Sequence, residues 1–305
     1  MSQTNSKNLP EKSERHKLFG SVKPGKKTKP VIKEEMPDIQ NTVDNFLFHL
    51  DTVGITNVKY PIHINSSIKP KSQTSVANFT FSTSIGQNSR GTNMSRFTEQ
   101  LQAYQEQGFN TDFSTLKEFI VELADRLDQE DAKMEITFPW FYERKAPASG
   151  LVGLNHADLS IKVTYNKDKG VTFNTSLAVL VTTLCPCSKD ISEYSAHNQR
   201  GRVTIETSFY EDFSDEEIDW KEKLLQAAET NASAPLHPVL KRPDEKVVTE
   251  QAYENPRFVE DTARLVAADL YEMDFIKKFS VTCQNEEAIH MHDAIAKLNV
   301  DKENM

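Results

Sequence analysis

The chain has 305 residues, ample for one large domain or two modest ones, with 37% hydrophobic and 27% charged residues. No run of about 18 apolar residues exists to cross a bilayer, no apolar leader opens the chain, and three cysteines cannot all pair, so a cytoplasmic protein with free thiols and no membrane partner is expected. The 36 basic and 45 acidic side chains give a net charge of -9, which argues against backbone-driven nucleic-acid binding but leaves room for a phosphorylated small molecule at a local basic cluster.

Residues 1–35 carry nine Lys/Arg against four Glu, a balance of +5 that leaves -14 for the rest of the chain. Their Ser, Lys, Gly and Pro content predicts a flexible basic arm over residues 1–25. Beyond it, Ala77, Phe79, Phe81, Thr83 and Ile85 alternate with polar residues as a strand buried on one face does. Met94, Phe97, Leu101 and Tyr104, then Phe113, Leu116, Ile120, Leu123 and Leu127, recur at helical spacing and predict two helices. Alternation resumes at Met134 to Trp140 and Leu159 to Tyr165, and Asn166 to Gly170 turns into Val171 to Val179, predicting consecutive antiparallel strands.

A second round follows. Val203 to Phe209 alternate, Ser214 to Glu217 predict a capping box opening a helix to about Thr230, and Val259 to Tyr271 predict another helix. Phe279, Val281 and Cys283 close the round as a strand. Residues 50–130 and 170–286 thus read as two structural copies of one unit, with an N-terminal unit over 40–168 and a C-terminal unit over 169–300. The predicted class is α+β, with antiparallel sheets covered by helices on one face and polar on the other, the polar face lining a barrel or an oligomer channel.

The common phosphate-loop, dinucleotide-fold and zincin motifs are absent. The run from Leu184 to Gly201 stands out as a long polar loop holding Cys185 and Cys187. Extended, it would turn both thiols to the same side, and His197 could return across the loop to meet them; a thiolate with an imidazole suits a zinc-like or softer divalent ion. The competing account makes the cysteines small buried hydrophobes. Lys189 and Arg200 add positive charge enough to hold an anion. Lys241 to Lys246, followed by Glu250, Glu254 and Arg257, offers carboxylates and phosphate partners, or a plain solvated charged loop. Asn285 to Asp293 concentrates two of the eight histidines, and helical spacing would put Glu287 and His290 on one face. Gly91 to Arg96 opens a helix and offers either an anion site or a simple cap.

Taken together, Cys185 to Arg200, Lys241 to Lys246, Glu254 to Asp261, Asn285 to Asp293 and Gly91 to Arg96 resemble GTP cyclohydrolase IB over about Phe19 to Leu298. The resemblance implies a tunnelling fold with two tandem copies per chain, its barrel completed by oligomerisation, as a homotetramer with active sites between subunits. It implies a hydrolase of folate biosynthesis that converts GTP and water to formate and 7,8-dihydroneopterin triphosphate through metal-activated attack of water at C8. Residue by residue it implies Cys185, His197 and Glu245 as ligands of a divalent metal, manganese or iron before zinc. Cys187 becomes a catalytic thiol, Glu287 the guanine anchor, and His290 and His292 the proton handlers. Lys189, Arg200, Lys241, Arg242 and Arg257, with Arg96, are candidates for the substrate and its triphosphate, whose roughly four negative charges need local offset. Two competing readings are a nitrile reductase of the same fold, using a Cys nucleophile and NADPH, and a non-enzymatic metal-binding protein in which the thiol loop is a structural clip.

Overall fold

The computed structural model describes residues 9–304, so the first eight residues of the predicted arm lie outside the described residues. The segment before Gln40 is a unit of its own. In it Lys12–Leu18 forms a two-turn helix, α1, and Lys33–Glu35 a single 3₁₀ turn. Every side chain described in residues 9–39 is exposed, as a stretch rich in Lys, Ser and Pro without apolar periodicity dictates.

From Gln40 onward the chain forms a second unit built on one antiparallel sheet. Strands β1 (Leu50–Asn65) and β2 (Ser72–Ile85) lead to helices α2 (Ser95–Glu106) and α3 (Phe113–Leu127), then to β3 (Asp131–Lys145) and β4 (Val152–Asn166). The pattern then repeats. Strands β5 (Gly170–Leu184) and β6 (Asn198–Phe209) enclose the short helix α4 (Pro186–Ile191). Helix α5 (Trp220–Thr230), the two-residue strand β7 (Ala234–Pro235), helices α6 (Arg242–Glu254) and α7 (Val259–Glu272), and strands β8 (Ile276–Glu286) and β9 (Ala294–Asp301) complete it. Each round is therefore closed by two further strands after its helices. Strand order is β1-β2-β3-β4-β5-β6-β8-β9, with β7 joined to β5 at Val181 and Thr182, just beyond the last β4 pair at Asp158 and Ala178.

Period-two alternation decides which face is covered. Phe79 and Phe81 of β2, Met134, Ile136 and Trp140 of β3, Ile161 and Val163 of β4, Val181 of β5, Ile205 of β6 and Val281 of β8 have no accessible surface. They meet Phe97 and Leu101 of α2, Phe119 and Ile120 of α3, Leu224 of α5, and Val266 and Leu270 of α7 in one core. Each such side chain contributes about 1.5–3 kcal/mol by leaving water. The opposite face keeps the polar members of the alternation. There Glu135, Lys162, Asn174, Glu206, Lys278 and Asp301 line a hollow of about 760 Å³. The α+β class and the one-sided sheet agree with the sequence patterning.

Three local expectations are corrected. The fifth helix begins at Trp220, not at Ser214, because Asp219 is its N-cap and accepts from the Lys221 amide at 3.1 Å. Asp215, from the expected capping box, instead accepts from the Phe113 amide at 2.9 Å, bracing the start of α3. The charged run after Lys241 is a helix, since Pro243 suits its first turn and Asp244 accepts from the Lys241 amide as a capping partner. The third correction concerns residues 287–293, which form the tight β8–β9 connection and not a helix.

Asp244 anchors α6 to the β3–β4 turn. One carboxylate oxygen accepts from the Ala148 and Ser149 amides, both at 2.7 Å, and the other from the Ser149 hydroxyl at 2.7 Å and the Lys241 amide at 2.8 Å. Burial alone would push this carboxyl up, but the hydrogen bonds from Ser149, Lys241 and Ala148 hold it below the usual carboxylate range. A depressed folded-state pKa contributes stability above the unfolded value of about 4, lost as pH falls through the folded value. Asp244→Asn sets an amide N–H against the Lys241 N–H and should lower Tm by several degrees at pH 7. That deficit should shrink in thermal melts below about pH 4.

Candidate functional site

Three connections emerge from one end of the sheet, and strand register shows why. Leu184, the last residue of β5, pairs with Asn198 at the start of β6, and Arg200 of β6 pairs with Glu286, the last residue of β8. The β5–β6 connection carrying the thiols and the β8–β9 connection carrying Glu287, His290 and His292 are therefore neighbours. The β3–β4 turn lies at the same end, because β4 runs antiparallel to β5 from Val152. Helix α6 crosses this end. Its first turn is fixed by Asp244 to the β3–β4 turn, and beyond its last turn the Arg257 amide donates to the Leu184 carbonyl at 3.0 Å.

The thiol segment is not extended, which corrects the premise on which both sulfurs are expected to share a side. Pro186 opens α4, Cys185 is its N-cap, and Cys187 sits inside the helix. Cys185 is half-buried and Cys187 exposed, so the two sulfurs occupy different surroundings. Cys283 lies in the core, where burial pushes its thiol up to about 12 and keeps it out of thiolate chemistry.

The Cys185 amide donates to the His197 carbonyl at 3.1 Å, clasping the two ends of the loop. His197 Nδ1 lies 2.9 Å from Gln199 Oε1. A carbonyl oxygen only accepts, so the proton belongs on Nδ1 and the lone pair on Nε2. A thiol and an imidazole with a fixed tautomer fit two donors of a borderline divalent metal. Glu245 stands exposed in the first turn of α6, and among the described residues no three His, Cys, Asp or Glu side chains converge into a metal-holding group.

The remaining predicted residues are placed as follows. The Lys189 ammonium donates to the Tyr253 carbonyl at 2.5 Å and lies 4.1 Å from that ring's centroid, tying α4 to the end of α6. His290 and His292 stack with ring centroids 4.9 Å apart on the exposed connection, beside a half-buried Glu287. Lys241 and Arg242 are exposed at the start of α6. Arg96 is elsewhere: it donates to the Arg126 carbonyl at 2.8 Å, at the far end of the sheet, where β2 finishes and β3 begins. Within one chain the structure does not bring Arg96 to the thiols.

Sequence reasoning missed the surroundings of Arg200. It lines a hollow of about 250 Å³ with Arg202, His156, His237, Asn155 and Asp158. Arg202 and Asp158 are 3.4 Å apart there, and burial followed by the Arg144 charge lowers the His237 pKa, favouring the neutral ring. Gly153 gives the His237 segment room, since a β-carbon would stand 2.7 Å from the Pro238 ring. These residues come from β4, β6 and the connection after β7, three stretches well apart in sequence, so nothing short of strand register groups them. Beneath them a buried Glu229 accepts from the Tyr142 hydroxyl at 3.1 Å and from Arg144, fixing the end of β3.

The family model described as type I GTP cyclohydrolase folE2 matches residues 36–296. The chain is similar to GTP cyclohydrolase FolE2 of Oceanobacillus iheyensis, with 62% identity over 296 residues covering 97% of this chain and 98% of that one. With GTP cyclohydrolase FolE2 of Bacillus subtilis it shares 53% identity over 295 residues, covering 97% of each chain. Among solved structures, uricase from Arthrobacter globiformis matches with a TM-score of 0.50 and 11% identity, covering 84% of this chain and 95% of that chain. That likeness is one of fold alone, and it agrees with the tunnelling fold expected from the sequence.

Proposed function

The chain belongs to the type I GTP cyclohydrolase folE2 family, and from that premise we propose how its residues divide the work of a GTP cyclohydrolase in folate biosynthesis. The observation that carries the reading is the shared sheet end, where Leu184–Asn198 and Arg200–Glu286 pairing sets the thiol segment beside the Glu287 and histidine connection.

Cys185 and His197 would hold a divalent metal, with Glu245 as the third donor, manganese or iron being the favoured ions. When bound, such an ion supplies a Lewis acid that readies water for attack at C8 of guanine. The protein's own residues do the rest. The Glu287 carboxylate accepts two N–H groups of guanine and so rejects adenine, whose edge carries a different donor pattern. Exposed Cys187 works beside the substrate, not on the metal. His290 and His292 pass protons as the imidazole ring opens, formate departs and the pterin ring closes. Arg200, which shares its hollow with Arg202 and His156, offsets the triphosphate together with Lys241 and Arg242.

The working enzyme is an oligomer, by this reading a homotetramer. Two observations support it. Tyr194 and Met291 are 96% and 105% exposed, and Ile191 and Ile289 are exposed with them, so the two site connections carry bare apolar side chains that another copy would cover. Arg96 reaches a thiol end only if it is supplied by a neighbouring copy. Free Cys185, Cys187 and Cys283 and a nucleotide substrate suit the cytoplasm, and no helix among the described residues is long and apolar enough to cross a membrane.

Incubation with GTP and Mn²⁺ or Zn²⁺ should release formate and give neopterin fluorescence after oxidation and dephosphorylation. NADPH oxidation with a deazaguanine nitrile, and no formate from GTP, would overturn the reading. Dilution until subunits separate should lower specific activity, followed by sedimentation on the same samples. A fully active monomer would show that the site is built within one chain.

A further inference from the structure

We propose that Ser188 is a positioning residue that fixes the relative placement of Cys185 and His197; the inference rests on these two being the metal donors, as read above. Their direct link, the Cys185 amide on the His197 carbonyl at 3.1 Å, is a single hydrogen bond one step past the last β5–β6 pair, Leu184 and Asn198. Ser188 adds the second link. Its hydroxyl donates to the Cys185 carbonyl at 3.1 Å and accepts from the His197 amide at 3.2 Å. Its own amide donates to Cys185 Sγ at 3.5 Å. One residue thus touches the main chain of both donors and the sulfur of one.

The chemistry selects a hydroxyl at this position. The bridge requires one atom that donates and accepts at once, which a hydroxyl does and a methyl cannot. A carboxylate would accept from His197 but repel the Cys185 carbonyl. Ser188 is itself held: its carbonyl accepts from the Ser192 amide at 3.2 Å, and the adjacent Lys189 fastens α4 to Tyr253. The donor pair is therefore set by the protein and not by the ion, with Gln199 orienting the imidazole from the other side.

The test uses the full-length, metal-free protein titrated with Co²⁺, reading the thiolate-to-cobalt charge-transfer band, with amide exchange around His197 measured before metal is added. Ser188→Ala should weaken Co²⁺ binding about 10–100-fold and speed exchange at His197, and Ser188→Thr, which keeps the hydroxyl, should restore both. Cys185→Ala should lose the band. If Cys185→Ala loses the band while Ser188→Ala binds Co²⁺ and exchanges as the parent does, Ser188 is an ordinary helix residue and the proposal falls. If Cys185→Ala keeps the band, the donor assignment itself falls. Should Ser188→Ala not fold, Ser188→Val, which has the shape of the Thr variant without its hydroxyl and no atom that binds metal, takes its place under the same criteria.

Discussion

Cys187→Ala should lower kcat for GTP by about three orders of magnitude or more, while the purified protein keeps the metal content of the parent. The two sulfurs differ in place before they differ in role. Cys185 is half-buried, caps α4 and is clasped to His197, whereas Cys187 projects from the first turn of the same helix into solvent. A thiol at an exposed turn can reach a substrate without entering the metal's coordination shell. Cys185→Ala should lose both metal and turnover, because it deletes one of the proposed metal donors. Metal analysis beside steady-state kinetics on both variants separates the roles. Equal metal content and equal rates in the two would erase the division of labour.

Glu287→Gln should cost about 10³-fold in kcat/KM for GTP. Glutamine keeps the volume but replaces one acceptor oxygen with a donor, so an N–H of guanine would face an N–H of the protein in a desolvated site. Glu287 sits where β8 ends, one residue past Glu286, which pairs with Arg200 and is exposed. Rigid strand pairing up to Glu286 fixes where the next carboxylate starts, as a base anchor requires. Glu286→Gln is the control, and it should leave kcat/KM nearly unchanged. If the two variants exchange behaviour, the anchor is Glu286.

Much of this was readable from alternation alone. Phe79 and Phe81, or Ile161 and Val163, declare a buried face because a strand's side chains alternate, and no tertiary information is needed. Caps were harder. Ser214 to Glu217 satisfies the pattern of a capping box, yet Asp215 gains more by bracing α3, a contact about a hundred residues away that local pattern cannot encode. Likewise Lys241 to Lys246 looked like solvated charge because α6 has one strongly buried polar anchor, Asp244, and little apolar surface of its own. The thiol motif was legible as chemistry but not as shape. A proline at the first helical position turns an expected extended run into α4, which leaves Cys185 half-buried as its cap and Cys187 exposed within it. The grouping of Arg200 with Arg202, His156 and His237 needed register, which follows from the whole sheet.

The continuity of the sheet at β4 and β5 also bears on how the molecule comes apart. Those strands pair without interruption from Asp158 and Ala178 to Asn166 and Gly170, and the buried side chains on either side of the junction belong to one contiguous core. Peeling either round away would strip a neighbouring strand of its ladder and expose the apolar face beneath it. Two halves that repeat the same element order are thus bound to melt together. Calorimetry on the intact chain would register them as one cooperative block and not as two independent ones.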